Sequence, residues 1–576
     1  MSFPKPWVKF YHDSVPESIN YPETTLYGRL VQSVEQYSDL VAWEFLGKSA
    51  TYREFLDEID LFANALYEIG LRKGDVITIS MPTSPNGIIP IYAVNKLGAI
   101  SSLIHPLSPP EQIKNYLQMS NSKFALTLDA FYQNFEKILG ETKVEKMIVC
   151  RIPDYLGKLK GFGFWATKGR KFAKIPQKDN IYWYKDLLMS NAPNVPEESQ
   201  STHDCAVIMY SGGTTGTSKG IMLSNMNLIS EGMQAAYWGY LKPKEKMLAI
   251  LPIFHGFGLG VCVNAVFMLG GTSILVPTFT PETVAVLVKK SRPNFLIGVP
   301  TLFEALVENP DFRKTDLSCL KVCFSGADTL PRKTKERFEE VVQQAGGSVK
   351  LLEGYGLTEA VTAIMATPYT EYREGSIGIP WPDMLAKVSK PGETVEVPIG
   401  QEGELCLHGP AVMLGYLDDP EETANVLKKH EDGRTWLHTG DLVYQDADGF
   451  FYFRSRIKRL IKVSGYNCYP RRVEDVIQEH PKVRAVCVVG IPHRKQISMI
   501  KAFVVPEEGV SATDELAEEI KQHCLSKLLQ WEAPREIEFR QSLPLTLVNK
   551  VDYKQLEREE LERLEKNVPA DPAVGS

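Results

Sequence analysis

The pattern that most limits what this chain can fold into is an alternation of amphipathic helical segments with short apolar strands along its first 325 residues. TYREFLDEIDLFANALYEIGL (51–71) carries apolar residues at helical spacing, and KGDVITISMP (73–82) then reads as a strand. NGIIPIYAVNKLGA (86–99) predicts a second helix and ISSLIHP (100–106) a second short strand. Further strands are predicted at Phe124–Leu128, Lys146–Cys150, Lys246–Leu251, Ser273–Pro277, Phe295–Val299 and Leu320–Ser325. Apolar strands separated by helices form layered α/β structure, with sheets covered on both faces. No fixed-period repeat is present, which excludes solenoids and propellers.

Near residue 400 the texture changes. GELCLHGPAVMLGYL (403–417) and WLHTGDLVYQDADGFFYFRSR (436–456) read as short strands with glycine turns, predicting a β-rich subdomain. Beyond Arg459 a compact α+β stretch follows. It has helices at 471–480 and 514–529 and strands at 485–492 and 500–506. A chain of 576 residues exceeds one core. The expected division is a large N-terminal domain at 1–457, a joint at Lys458 and a small mobile C-terminal domain at 459–576.

Charge and cysteine usage exclude several function classes. The chain has 64 Lys+Arg against 71 Asp+Glu, a net −7, so no global basic field exists to hold nucleic acid. Nine cysteines without a CxxC pair fit reduced thiols in the cytoplasm rather than a disulfide scaffold or a zinc site. No HExxH or paired His/Cys motif predicts zinc. The N-terminus lacks the apolar core of a signal peptide. The uncharged run Gly256–Pro277 is long enough for a bilayer but holds five glycines. It is predicted as a helix and a buried strand broken at Gly270 and Gly271.

One segment departs from the acidic average. Residues 151–178 contain eight Lys or Arg and one acid, interleaved with Tyr155, Phe162, Phe164, Trp165 and Phe172. Basic and aromatic residues together suit peripheral contact with an anionic membrane. A solvated basic loop is the alternative.

The strongest chemical signal is Tyr210-Ser-Gly-Gly-Thr-Thr-Gly-Thr-Ser-Lys-Gly220, at the end of the strand CAVIMY. Its glycine amides and Ser/Thr hydroxyls can surround a polyphosphate, and Lys219 adds a mobile positive charge. GxxxxGK[ST] cannot be aligned on it, so it is not a Walker A loop. A GxSxG string, Gly216–Gly220, lies inside it. Ser218 stands eight residues past Tyr210 and does not sit on a strand-to-helix nucleophile elbow.

This string resembles the phosphate-loop signature of the adenylate-forming superfamily of acyl-CoA synthetases, luciferases and peptide-synthetase adenylation domains. Seven further segments follow in family order: LPIFHGFGLG (251–260), FSGADTL (324–330), EGYGLTEA (353–360), GELCLHGP (403–410), WLHTGDL (436–442), SRIKRLIKVSGYNCYPRRVE (455–474) and LPLTLVNKVDYKQL (543–556). The overall pattern is most similar to bacterial long- or medium-chain fatty acyl-CoA ligases.

The resemblance implies ATP, Mg²⁺ and CoA as cofactor and co-substrates, with a carboxylic acid as the activated substrate. ATP would lie on Ser211, Gly212, Gly213, Thr214, Thr215, Gly216, Thr217 and Lys219, with adenine near Gly326, Ala327, Gly354, Tyr355 and Gly356. Asp441 and Arg456 would hold the ribose, and Thr358 would lie near the α-phosphate. Glu359 would bind Mg²⁺, a hard cation that suits a carboxylate. Lys550 would bridge the carboxylate and the α-phosphate during adenylation. Lys462 and Gly465 belong to the segment used in thioester formation, Gly465 giving room for a pantetheine arm. His255 would stand between the acyl pocket and the nucleotide, and Lys458 at the hinge. Gly258, Leu259, Gly260 and Val299 are expected to leave an apolar tunnel. An aromatic-acid ligase of the coumarate type, an adenylation enzyme that loads a carrier protein, and a nucleotide sensor without catalysis are the alternatives.

Overall fold

The computed structural model describes residues 3–155, 175–190, 192–212, 218–463, 466–493, 497–546 and 551–566. Much of the basic segment, residues 156–174, therefore lies outside the described residues.

The predicted strands form two large sheets. One has nine strands, in the order Ile379–Pro380, Ala363–Ala366, Leu351–Gly356, Val322–Ser325, Phe295–Gly298, Lys246–Ala249, Thr272–Leu275, Val41–Phe45 and Lys48–Thr51. Its centre is parallel: Met247 pairs with Ser273 and Phe295, and Phe295 with Val322. The other has eight, in the order Gly415–Tyr416, Ser218–Ser224, Cys205–Gly212, Ile100–Leu103, Val76–Ser80, Phe124–Leu128, Lys146–Cys150 and Ile181–Trp183. Most central strands are buried along their whole length, as parallel strands covered on both faces must be.

Helix Pro85–Lys96 shows why the layers hold. All twelve of its residues are buried, so it has no solvent face and serves as core. Helices Leu26–Tyr37 and Tyr52–Glu68 pack against it. Thr51 starts the latter with a capping box: its hydroxyl accepts from the Glu54 amide, and the Glu54 carboxylate accepts from the Thr51 amide. The run Gly256–Pro277 is a helix followed by a strand. Phe257–Asn264 is wound as a π-helix, Ala265–Met268 as α-helix, and Thr272–Leu275 is the buried strand. Among the described residues no helix is long and apolar enough to cross a membrane.

The chain divides into two compact units, and the boundary is more interleaved than the sequence suggests. The first comprises Met1–Lys387, Cys406–Thr439 and Asp446–Phe451; the second comprises Val388–Leu405, Gly440–Gln445 and Tyr452–Ser576. The β-rich stretch near 400 is thus distributed between both units. The second unit contains a small sheet in which Val483–His493 and Ile497–Pro506 pair along their length. Helices Pro470–Gln478 and Asp514–Leu525 supply Val473, Ile477, Leu516 and Ile520 to its core.

Candidate active site

In the first unit, the phosphate-loop string is flanked by two antiparallel strands. Ser211 pairs with Lys219 and Gly212 with Ser218. Gly213, Thr214, Thr215, Gly216 and Thr217 lie outside the described residues. The returning strand, Ser218–Ser224, runs straight into helix Asn225–Trp238, with Ser224 as its capping residue.

Lys219 is held from two sides. Its ammonium pairs with the Glu422 carboxylate and lies 4.6 Å from the centroid of the Tyr416 ring. Tyr416 reaches this position because the strand Gly415–Tyr416 pairs with the returning strand, Tyr416 opposite Ile221. Glu422 is presented by the helix Pro420–Val426, which Asp419 caps.

The same tyrosine reaches Glu359. Its hydroxyl donates to Glu359 Oε1 at 3.0 Å, and the Glu359 carbonyl accepts from the Met413 amide at 2.8 Å. Burial, reinforced by the adjacent Glu359 carboxylate, pushes the Tyr416 phenol far above its ordinary range. The hydroxyl therefore stays protonated and remains a donor. Thr358 and Glu359 share the short turn Thr358–Ala360 directly after strand Leu351–Gly356. Glu359 is half-buried, so its carboxylate combines anchoring with access to a cation.

The adenine-side residues are positioned by tight backbone geometry. A Cβ on Gly326 would stand 3.0 Å from the Phe257 ring and 3.3 Å from the Gly354 carbonyl oxygen, so these three segments meet. Ala327 has φ of 70°, a left-handed conformation unusual for alanine and characteristic of functional loops. Gly356 is held to glycine by the chain itself. A Cβ there would fall 1.5 Å from the Thr362 carbonyl oxygen, so the fold itself excludes a side chain. Gly354 has ordinary room, and Tyr355 is half-buried.

His255 is half-buried, and its Nδ1 accepts from the Phe257 amide at 3.2 Å, which places the ring proton on Nε2. A Cβ on Gly256 would come within 1.8 Å of the Val361 carbonyl, so this segment packs directly on the turn after Glu359. The expected tunnel at Gly258 and Gly260 is not open space. The Pro252 carbonyl fills the first position and the Glu231 carboxyl the second. Glu231 is fully buried, and desolvation raises its pKa well above the carboxylate range, keeping it protonated.

In the second unit, Asp441 and Arg456 come together across neighbouring strands, with Arg456 Nε 2.8 Å from Asp441 Oδ1. The Asp441 side chain is 1% exposed and the Arg456 side chain 47%, so a buried acid is reached by a guanidinium open to solvent. Lys458 is exposed in the turn Ile457–Arg459, and Lys462 is exposed on strand Ile461–Val463. The next residue after Lys458, Arg459, is instead anchored to Glu474. Gly465 and Lys550 lie outside the described residues.

Two features escaped the sequence. Tyr416 and Glu422 lack a chemical motif of their own, although Asp419-Pro420-Glu421 is a legible helix start. The expectation of no His/Cys cluster is also corrected, because Cys406, His430 and His438 are gathered with their donor atoms within 4.8 Å of one another. His430 and His438 flank one hairpin, and strand pairing brings Cys406 to them from a separate strand.

Comparison with known proteins gives this geometry its context. The AMP-binding enzyme family model matches residues 30–417, and the AMP-binding enzyme C-terminal domain model matches 472–550. The chain belongs to the AMP-binding enzyme family. This AMP-binding enzyme is 34% identical over 573 residues to a long-chain-fatty-acid–CoA ligase of Bacillus subtilis, covering 98% of this chain and 99% of that protein. It is 33% identical over 569 residues to a long-chain-fatty-acid–CoA ligase of Escherichia coli, covering 96% and 98%. Among solved structures, the anthranilate CoA ligase AuaEII in complex with anthranoyl-AMP superimposes with a TM-score of 0.81 at 23% identity, covering 94% of this chain and 98% of that one. That likeness shows the α/β fold.

Proposed function

We propose that this AMP-binding enzyme activates fatty acids, and that the residues named above divide the work between two half-reactions. The activity is ATP-dependent acyl-CoA ligation through an acyl-adenylate. The acid's carboxylate oxygen attacks the α-phosphorus and pyrophosphate leaves; the CoA thiol then attacks the acyl carbonyl, losing its proton, and AMP leaves. The observation that carries the fatty-acid reading is near-full-length likeness to long-chain-fatty-acid–CoA ligases at 33–34% identity.

The chain's own groups fit these steps. Lys219, steadied by Glu422 and Tyr416, offers a cation to the polyphosphate. Glu359, oriented by the Tyr416 hydroxyl, is the hard oxygen donor that would hold Mg²⁺, whose charge offsets that of the phosphates. Asp441 can accept from ribose hydroxyls beside the Arg456 guanidinium, which supplies donors of its own. Lys550 supplies charge to the adenylation transition state, where a positioned cation stabilises more than in the ground state. Lys458 is the hinge about which the C-terminal lid turns to bring Lys462 and Gly465 to the thioester step. Excluding water between the steps protects the adenylate from hydrolysis.

The protein acts in the cytoplasm, consistent with nine free thiols. Residues 151–178 give it peripheral contact with anionic membrane, where fatty acids partition. The basic charge of this segment supports that reading.

Pyrophosphate release with short, medium and long fatty acids, benzoate and coumarate, each with and without CoA, tests the proposal. Long-chain acids with CoA should give the highest kcat/KM. Preference for coumarate or benzoate would overturn the fatty-acid reading, and turnover indifferent to CoA would overturn ligation to CoA. Co-sedimentation with anionic vesicles should occur at low salt and fade at high salt; no sedimentation at low salt would refute the membrane contact.

A further inference from the structure

The cluster Cys406, His430 and His438 plays no part in the reaction above, yet it is one of the most deliberately arranged groups in the first unit. Its residues are 0%, 4% and 5% exposed, respectively, and their donor atoms lie within 4.8 Å of one another. We propose that these three side chains bind a single Zn²⁺ ion, with a water in the fourth position.

The backbone presents the donors before any metal arrives. Cys406 is on strand Gly403–His408 and His438 on its neighbour Thr435–Gln445. His430 stands at the root of the hairpin linking Leu427–Lys429 to that second strand, where Lys428 pairs with Trp436. The hairpin is closed by His430 N to Arg434 O and Gly433 N to His430 O, each 3.0 Å. Asp432 holds its tip, accepting from the Arg434 amide at 3.0 Å and from Trp436 Nε1 at 3.1 Å. Metal binding therefore orders little that is not ordered already.

The donor chemistry selects the class of ion. One thiol and two imidazoles form a nitrogen–sulfur set that suits zinc, and no carboxylate is present in the set to favour Mg²⁺ or Ca²⁺. With Zn–N of about 2.0–2.1 Å and Zn–S of about 2.3 Å, a tetrahedral site spaces its donors roughly 3.3–3.6 Å apart. The three donor atoms lie within 4.8 Å of one another, so side-chain adjustment on the ordered backbone brings them to that spacing. His430 Nε2 and His438 Nε2 already lie 3.0 Å apart.

The two rings alone do not satisfy the site. Two imidazole nitrogens at 3.0 Å must share a proton, whichever ring carries it. Either tautomer leaves His430 Nδ1 as a buried polar atom without a partner. A cation in place of the shared proton lets both rings serve as ligands through Nε2, with the proton of each on Nδ1.

One group opposes the ion. The Lys387 ammonium lies 4.3 Å from the centroid of the Trp436 ring, itself 5.9 Å from the His430 ring. Zn²⁺ bound to one thiolate keeps a net positive charge, so Lys387 weakens affinity. Replacing it with an uncharged chain of similar length should tighten binding.

The test uses the full-length enzyme, equilibrated with Zn²⁺, dialysed into metal-free buffer and measured for metal per chain. It is repeated with Co²⁺ for optical spectroscopy, and X-ray absorption is recorded on the zinc form. The expected result is about one Zn²⁺ per chain, a sulfur-to-cobalt charge-transfer band, and a zinc shell of one sulfur and two imidazole nitrogens. Cys406→Ser should abolish the band, His430→Gln should lower retained zinc at least tenfold, and Lys387→Met should tighten zinc severalfold. Wild type with less than a tenth of an equivalent, or a Co²⁺ form without the sulfur band, overturns the proposal. So does a band that survives in Cys406→Ser. The wild-type absorption shell decides the matter even if a variant fails to fold.

Discussion

Removing one oxygen atom, in Tyr416→Phe, isolates the contact that links the phosphate-loop lysine to the proposed magnesium ligand. The ring remains, so the cation–π contact with Lys219 at 4.6 Å is retained, while the 3.0 Å bond to Glu359 is lost. A hydrogen bond to a charged group contributes about 1.5–3 kcal/mol. At 1.36 kcal/mol per tenfold, that corresponds to a loss of roughly 10- to 150-fold if the bond is needed where charge develops. The Glu359 carbonyl stays bonded to Met413, so the turn persists and the carboxylate alone loses its anchor. Initial rates of pyrophosphate release at saturating acid should therefore show kcat/KM for ATP reduced by that factor. Half-saturation in Mg²⁺ should move upward, with Tm close to wild type. Because the Tyr416 phenol is raised far above its ordinary range, the defect should be equally deep from neutral to moderately alkaline pH. A Tyr416→Phe enzyme within twofold of wild type at every Mg²⁺ concentration would refute the link.

Other sites carry sharper structural or kinetic signatures. Gly356→Ala drives a methyl into the Thr362 carbonyl and should destabilise by more than about 3 kcal/mol while weakening ATP binding, measured by calorimetry and equilibrium binding. Lys501→Met removes the 2.7 Å partner of the buried Glu560 and leaves it only the Arg563 guanidinium at 3.0 Å, so it should destabilise in urea unfolding by less than the about 3–5 kcal/mol of a fully broken buried pair. That deficit should shrink as pH falls, since a buried carboxyl that has lost one of its two cations raises its folded pKa and folds better protonated; a deficit constant with pH would contradict the account. Lys550→Ala should lower acyl-AMP formation by roughly 10²–10³ and spare thioester formation from supplied acyl-AMP. Equal loss in both half-reactions would make the residue structural.

The α/β layers were legible because buried strands leave an unmistakable apolar run: Phe124–Leu128, Lys146–Cys150 and Phe295–Gly298 occur within a residue of where periodicity places them. Local windings were less visible. Nothing in GFGLGVCVN distinguishes a π-helix from an α-helix, and the segment packs closely on Pro252, Glu231 and Val361. Glycines misled for a related reason. Gly356 and Gly260 look like space left for a ligand, but their missing side chains accommodate Thr362 and Glu231 of the same chain. Motif residues such as Glu359 and Asp441 could be placed by chemistry and spacing, whereas Tyr416 depends on a strand pairing that joins distant segments. A different pairing, of strand Gly403–His408 with Thr435–Gln445, hid Cys406 from His438.

Adenylation itself is most directly tested by isotope transfer. A fatty acid labelled with ¹⁸O in both carboxylate oxygens, turned over with ATP and CoA, should yield AMP carrying one ¹⁸O on its phosphate and pyrophosphate carrying none. Label in inorganic phosphate with release of ADP, or unlabelled AMP, would contradict attack of the carboxylate on the α-phosphorus.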